Sequence, residues 1–215
     1  MKAAPLNRTK LIEKLEHHYE LHKEAIRNRL LDFKSVPSSE YFYELAFCLL
    51  TPQSSAAHAE QAVAQLHNAN FHTQNINPEP FLRDKHHYVR FHKTKTRHLL
   101  QMKKDFPLIA QTIAEKASAF DLREWLVMHV MGLGYKEATH FLRNIGKNDG
   151  LAILDRHIIR TLEHLGVIHS IPNSMNKRQY YEIEQRFKKF AENIGIVLDE
   201  LDLVLWSMGT GVIRK

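Results

Sequence analysis

The sequence predicts an all-α protein, and three observations carry that prediction. Glycine and proline are sparse, at 8 and 7 of 215 residues, while Leu, Ala, Glu, Lys, Arg, Gln and His abound. Apolar residues recur at helical spacing in one segment after another, and several of these segments close on a glycine. No stretch alternates apolar and polar residues as a strand would, and no segment repeats another. Hydrophobic residues make up 44% of the chain, so a sizeable core is available. The length suits one large domain or two small ones that share a long element.

Taken in order, residues 9–33 read as one polar helix, with Ile12, Leu15, Tyr19, Leu21 and Ile26 only loosely at helical spacing. "SVPSSE" (residues 35–40) breaks it, with Ser38 or Ser39 as the expected N-cap of the next helix. "YFYELAFCLL" is apolar all round, as a central buried helix must be. In "TPQSSAAHAEQAVAQL", Thr51 suits a cap and Pro52 a first helical position, which puts Gln53 at an exposed helix start. Residues 67–80 are loop-rich. "VRFHKTKTRHLLQMKKDFP" reads as a strongly basic helix, followed by a further helix over residues 109–119. Asp121 is the expected cap of "LREWLVMHV". After a glycine turn come "DRHIIRTLEHLG", stopped by Gly166, and the amphipathic "KRQYYEIEQRFKKFAENIG", stopped by Gly195. "VLDELDLVLWSM" is the last helix.

Composition excludes several function classes. Cys48 is the only cysteine, which rules out an intramolecular disulfide, a four-cysteine zinc site and a four-cysteine iron–sulfur cluster. It lies in an apolar helix and reads as a buried thiol. The histidine pairs His18/His22 and His86/His87 lack a third ligand, so no metal site is expected. No apolar run has the length of a signal peptide core or a membrane span, and a cytoplasmic protein is expected. The net charge of +6 and the sequence pI of about 9.3 suit a polyanionic partner.

The chemistry concentrates in "VMGLGYKEATHFLRNIG" (residues 130–146). Ala138, Phe141, Leu142 and Ile145 form one apolar stripe, and Gly146 is the expected stop. Lys136 lies two residues before Ala138, about 160° around the helix from that stripe. It therefore stands off the core, in the first turn. Gly132 and Gly134 permit a tight turn whose freed N–H groups can bind a phosphate. A lysine there opposes the macrodipole, and an uncharged amine is a nucleophile. The segment alone also suits a plain αα-hairpin with a solvated lysine. Nineteen residues after Lys136, Asp155 opens "DRHIIR", either as an N-cap only or as a carboxylate that the helix end aims at chemistry.

Together, "VMGLGYKEA" and "LDRHIIR" resemble the paired motifs of the helix-hairpin-helix DNA glycosylase superfamily. "GYKEATHFLRNIG", "AILDRHIIR", "VRFHKTK", "ELDLVLW" and "TGVIRK" are similar to its archaeal-type 8-oxoguanine DNA glycosylase/AP lyase branch, over residues 30–215. The chain departs from many members in Met131-Gly132, where they carry Pro-Gly, and lacks the four cysteines of the endonuclease III branch.

The resemblance implies a two-lobed helix-hairpin-helix fold with the active site in the cleft between lobes. One lobe would span residues 34–148, with the hairpin at 121–146; residues 1–33 and 149–215 would form the other. It implies a bifunctional enzyme that removes 8-oxoguanine from double-stranded DNA and nicks the strand by β-elimination. Lys136 would be the nucleophile and Asp155 the essential carboxylate. Phe91 and Trp206, which on their own read as core residues, would sandwich the base, and the carboxylate of Lys215 would recognise it. Gln53 would fill the vacated stack. Arg90, Lys93, Lys95, Arg97 and the amides around Gly132 and Gly134 would hold phosphates. No cofactor is implied beyond a structural monovalent cation at the hairpin. The protein would act as a monomer, associated with the nucleoid if prokaryotic. Two other readings stay open: the same fold acting on a different oxidised base, and a non-enzymatic hairpin module that grips DNA.

Overall fold

The computed structural model describes residues 8–116 and 118–213, and these contain helices and turns but no strand. The helices are α1 (Arg8–Lys34), α2 (Tyr41–Leu50), α3 (Ala56–Asn68), α4 (Glu79–Leu82), α5 (His92–Glu115), α6 (Ala119–His129), α7 (Tyr135–Asn144), α8 (Arg156–His164), α9 (Lys177–Ile194) and α10 (Leu198–Thr210). They fall into two compact units. One takes Val36–Lys147; the other takes the described residues up to Ser35 and from Asn148 onward.

In the Val36–Lys147 unit, α2 is the hub and packs against α3, α5 and α7. Phe42, Leu45, Ala46, Cys48 and Leu50 of α2 are wholly buried, as an all-round apolar helix requires. Cys48 is buried and forms no disulfide. A three-residue 3₁₀ turn, Ser38–Glu40, leads into α2 after Pro37, so neither Ser38 nor Ser39 caps it. Buried Glu44 of α2 accepts a hydrogen bond from Asn144 Nδ2 of α7 at 3.0 Å.

The long helix α5 corrects two expectations at once. It begins at His92, after "VRF", and it runs through Pro107 without a break. Its buried face continues across the proline in Met102, Phe106, Ile109 and Ile113. A proline inside a helix costs about 3 kcal/mol. Each fully buried Phe or Ile contributes about 1.5–3 kcal/mol, so the continuing stripe outweighs it. Ser118 then caps α6 by accepting from Asp121 N–H; Asp121 itself sits in the first turn.

In the other unit, α10 packs against α1, α8 and α9. The face that α1 buries is Leu15, Tyr19, Ile26 and Phe33, while Leu21 is exposed. Glu200 of α10 joins α10 to α1, accepting from the Tyr19 hydroxyl and from Arg27 Nε at 2.9 Å. A capping box of Asn176 and Gln179 starts α9. Gly166 and Gly195 follow α8 and α9 in left-handed conformations, as the sequence suggests.

Candidate active site

The hairpin is built from α6, a four-residue turn and α7. Val130 ends α6, donating its N–H to Leu126 O. Leu133 N–H then donates to Val130 O at 3.2 Å, which closes the turn. Gly132 lies at φ +84, and a Cβ there would come within 2.2 Å of His98 Nδ1. The turn therefore lies directly on an α5 ring, and only glycine suits both the backbone and the space. Burial, with Arg97 and Lys95 nearby, lowers the pKa of His98, so Gly132 meets a neutral ring at neutral pH. Gly134 is the N-cap of α7 in an extended conformation. The first N–H groups of α7 have no intrahelical acceptor, the arrangement by which a helix start suits an anion.

Helix α7 is more buried than its apolar stripe implies. From Ala138 through Ile145 every residue is buried, including Thr139, His140, Arg143 and Asn144. Lys136, in the first turn, keeps 26% of its side chain exposed. Its Nζ lies 3.7 Å from Glu137 Oε1, an ion pair that the sequence reading missed. Glu137, unlike Lys136, has the charge that a helix N-terminus favours.

Asp155 caps α8: its Oδ1 accepts from Ile158 N–H at 2.8 Å, which leaves Oδ2 for another donor. The stretch before it, Leu151 to Leu154, is buried in non-helical conformation. Helix α9 pins that stretch. The Tyr180 hydroxyl donates to Ala152 O at 2.6 Å and accepts from Leu154 N–H at 3.3 Å. Glu184 Oε1 accepts from Ala152 N–H at 2.8 Å. Sequence reasoning treated α9 as an ordinary amphipathic helix, yet it fixes the segment that presents Asp155. The signal was a tyrosine and a glutamate four apart on its apolar side.

Trp206 is half-buried on α10, and His157 of α8 meets it edge to face at 5.7 Å between centroids. Trp206 is thereby joined to the helix that Asp155 caps. Its Nε1 is buried and has no hydrogen-bond partner among the described residues. Phe91 is 52% exposed and so is no core residue. It stands at the N-cap of α5 with φ 59, and the Arg90 guanidinium lies 5.5 Å from its ring centroid. Lys215, the remaining base-recognition expectation, lies outside the described residues.

Two expectations are corrected here. Gln53 does not start a helix. Thr51 instead ends α2, donating N–H to Phe47 O and its hydroxyl to Cys48 O. Ser54 N–H closes a turn on Thr51 O, and α3 begins only after Ser55. Gln53 is the exposed tip of that turn, at φ 55. Lys95 is not a surface phosphate contact. It is 4% exposed, and its Nζ donates to Leu50 O, Pro52 O and Ser54 Oγ at 2.6, 2.8 and 3.0 Å. The reason is helical phase: Lys95 shares the buried face of α5 with Leu99, Met102 and Phe106. Lys93 and Arg97, like Arg90, are exposed.

Comparison with known proteins finds relatives in sequence and in fold. Residues 26–196 match the sequence profile of the 8-oxoguanine DNA glycosylase family. A Fusobacterium nucleatum protein named 8-oxoguanine DNA glycosylase/AP lyase is 35% identical, over 98% of this chain and 100% of its own. A Methanocaldococcus jannaschii protein of the same name is 33% identical, over 90% of this chain and 93% of its own. The crystal structure of the 8-oxoguanine DNA glycosylase of Thermotoga maritima superposes with a TM-score of 0.85 at 29% identity, covering 97% of this chain and 100% of that one. The M. jannaschii 8-oxoguanine glycosylase/lyase, solved in complex with a 15mer DNA containing 8-oxoguanine, gives 0.86 at 32% identity, covering 96% and 100%.

Proposed function

The chain belongs to the 8-oxoguanine DNA glycosylase family, and we propose that it excises 8-oxoguanine from duplex DNA and then nicks the strand at the abasic site. One observation carries the catalytic assignment. On a helix buried from Ala138 to its end, Lys136 stands partly exposed in the first turn, next to the glycine turn.

A base inside a duplex is out of reach, so the nucleotide must leave the stack. Arg90, Lys93 and Arg97, with the first amides of α7, hold phosphates. Gln53 enters the gap, and Phe91 and Trp206 receive the base. Lys136 gives up its proton and its Nζ attacks C1′. The glycosidic bond breaks and its electron pair leaves with the base. Asp155 stabilises the positive charge that develops on the sugar and helps to take the lysine proton. The sugar ring opens to a Schiff base between C1′ and Nζ. This acidifies the C2′ hydrogen; its loss expels the 3′ phosphate oxygen, and water later frees the lysine. A carboxylate without the amine would give excision only.

Oxygen donors at the hairpin suit a monovalent cation shared with a phosphate. Val130 O and Gly134 O already accept from Leu133 and Ala138 N–H, which leaves the carbonyls of Met131, Gly132 and Leu133 to hold it. No helix among the described residues is long and apolar enough to cross a membrane. The enzyme acts in the cytoplasm, as a monomer.

Borohydride should trap a covalent adduct between the wild-type protein and an 8-oxoguanine duplex. Lys136→Gln should bind the duplex yet form no adduct and no nick. Nicking by Lys136→Gln at the wild-type rate would remove Lys136 as nucleophile.

A further inference from the structure

Two residues ill suited to left-handed backbone adopt it: Gln53 at φ 55 and Phe91 at φ 59. The other two such non-glycine residues among the described ones, Asn70 and Asp149, are types that tolerate it. A glutamine or a phenylalanine persists there only when its surroundings over-determine it. The same residue, Lys95, contributes to those surroundings at both, by its ammonium at one and its backbone N–H at the other. Lys95 Nζ donates to Pro52 O and Ser54 Oγ, on either side of Gln53, and to Leu50 O. Leu50 O belongs to the last turn of α2, where a helix favours positive charge. Ser54 Oγ also accepts from Arg90 N–H at 3.0 Å, using its second lone pair. Lys95 N–H donates to Phe91 O at 2.9 Å. The Gln53 turn and the Arg90–Phe91 turn are thus tied through one ammonium and one hydroxyl.

An ammonium has three N–H donors, and here all three are spent on this knot. Burying a charge costs free energy unless it is well paired. An apolar side chain would fill the same space without that cost, but would leave two carbonyls unmet, Leu50 O and Pro52 O.

We propose that Lys95 and Ser54 are positioning residues for base extrusion: they hold Gln53 and Phe91 in left-handed conformation as one preassembled unit before DNA binds. The proposal rests on the glycosylase reading above and adds a division of labour to it. Extrusion depends on the knot; the chemistry of Lys136 does not. A pre-formed abasic site has no base to extrude and is indifferent to it.

The test uses Lys95→Met, Ser54→Ala, Gln53→Ala and the double variant Gln53→Ala/Ser54→Ala. Three readouts apply: single-turnover excision of 8-oxoguanine, nicking at a pre-formed abasic site, and fluorescence of 2-aminopurine next to the lesion, which reports unstacking. Ser54→Ala removes one hydroxyl and serves if Lys95→Met fails to fold. The folded Lys95→Met and Ser54→Ala variants should lose about tenfold or more in excision and in the 2-aminopurine rise, with abasic-site nicking within about threefold of wild type. Because part of the effect of Ser54 runs through Gln53, the double variant should lose less than the product of the two single losses. Multiplying losses, equal loss of excision and nicking, or wild-type excision by a folded knot variant would each overturn the proposal. A wild-type protein that neither excises 8-oxoguanine nor forms the borohydride adduct would instead overturn the glycosylase reading, and the 2-aminopurine signal keeps the two failures apart.

Discussion

Replacing Gly132 by alanine tests the hairpin with a single methyl group. The Cβ would sit 2.2 Å from His98 Nδ1, 2.4 Å from Cε1 and 2.8 Å from Cγ. Three ring atoms are struck, Cγ among them, so no small rotation of the ring clears the methyl. Moving the ring, or the backbone against it, costs about 1–3 kcal/mol as overpacking. The φ of +84 adds about 1–2 kcal/mol for a residue with a Cβ. Alanine restricts the unfolded chain and returns about 0.4–1 kcal/mol. The net loss is about 1–5 kcal/mol, or about 2–20 °C in Tm for a chain of this size. Thermal unfolding by circular dichroism measures it. The double variant Gly132→Ala/His98→Ala should recover the steric part, relative to His98→Ala alone, and leave the backbone part. A Gly132→Ala protein that melts with the wild type would refute the close approach of turn and ring. A double variant with no recovery would refute the assignment of the steric cost to His98.

Asp155→Asn should retain the α8 cap and melt near wild type, whereas Asp155→Ala should lose about 1 kcal/mol with the cap. Both should lose orders of magnitude in excision, and a fully active Asn variant would reduce Asp155 to a cap. With Lys95 withdrawn, three exposed cations remain as phosphate partners, so log Kd against log salt should have a slope of magnitude about 2.7. A slope near zero would remove Arg90, Lys93 and Arg97 as phosphate contacts. Burial lowers the Lys95 pKa from 10.5 to about 8, against the opposing pull of Glu137. Between those values the unfolded chain holds a proton that the folded protein has shed. Stability from this group therefore rises with pH across that window, by up to about 1.4 kcal/mol per pH unit, and its charge is a cost below it. Urea titrations at about pH 7 and about pH 9.5 should show wild type gaining on Lys95→Met; a constant difference would mean that folding leaves this amine unperturbed.

Local chemistry made some of this molecule legible. The apolar run of α2, the glycines after α8 and α9, and the carboxylate that opens α8 each depend on neighbours within a turn or two. The misreadings share a cause: partners far along the chain. The basic run around Lys95 suggests a phosphate contact because lysines are usually at the surface, although its place in line with Leu99, Met102 and Phe106 is visible in the sequence. Thr51-Pro52 is locally a good helix start, but the carbonyls of that turn face an ammonium 43 residues on. Pro107 looked like a terminus until the stripe beyond it was seen to stay buried. Tyr180 and Glu184 bind backbone atoms 28 and 32 residues away, and backbone atoms carry no side-chain signature.

The division of the chain into one contiguous and one discontinuous unit has a consequence for synthesis. Residues 36–147 leave the ribosome together, so that unit has all its helices at hand soon after α7 emerges. Helix α1 emerges before that unit, yet α10, against which it packs, is made only after it. At about 5–20 residues per second, that wait is roughly ten to thirty seconds. During it the apolar face of α1 has no native cover, and a nascent chain stalled before α10 offers that face to chaperones. The polar character of α1 elsewhere, with 27 residues and only four of them buried, keeps the waiting segment soluble.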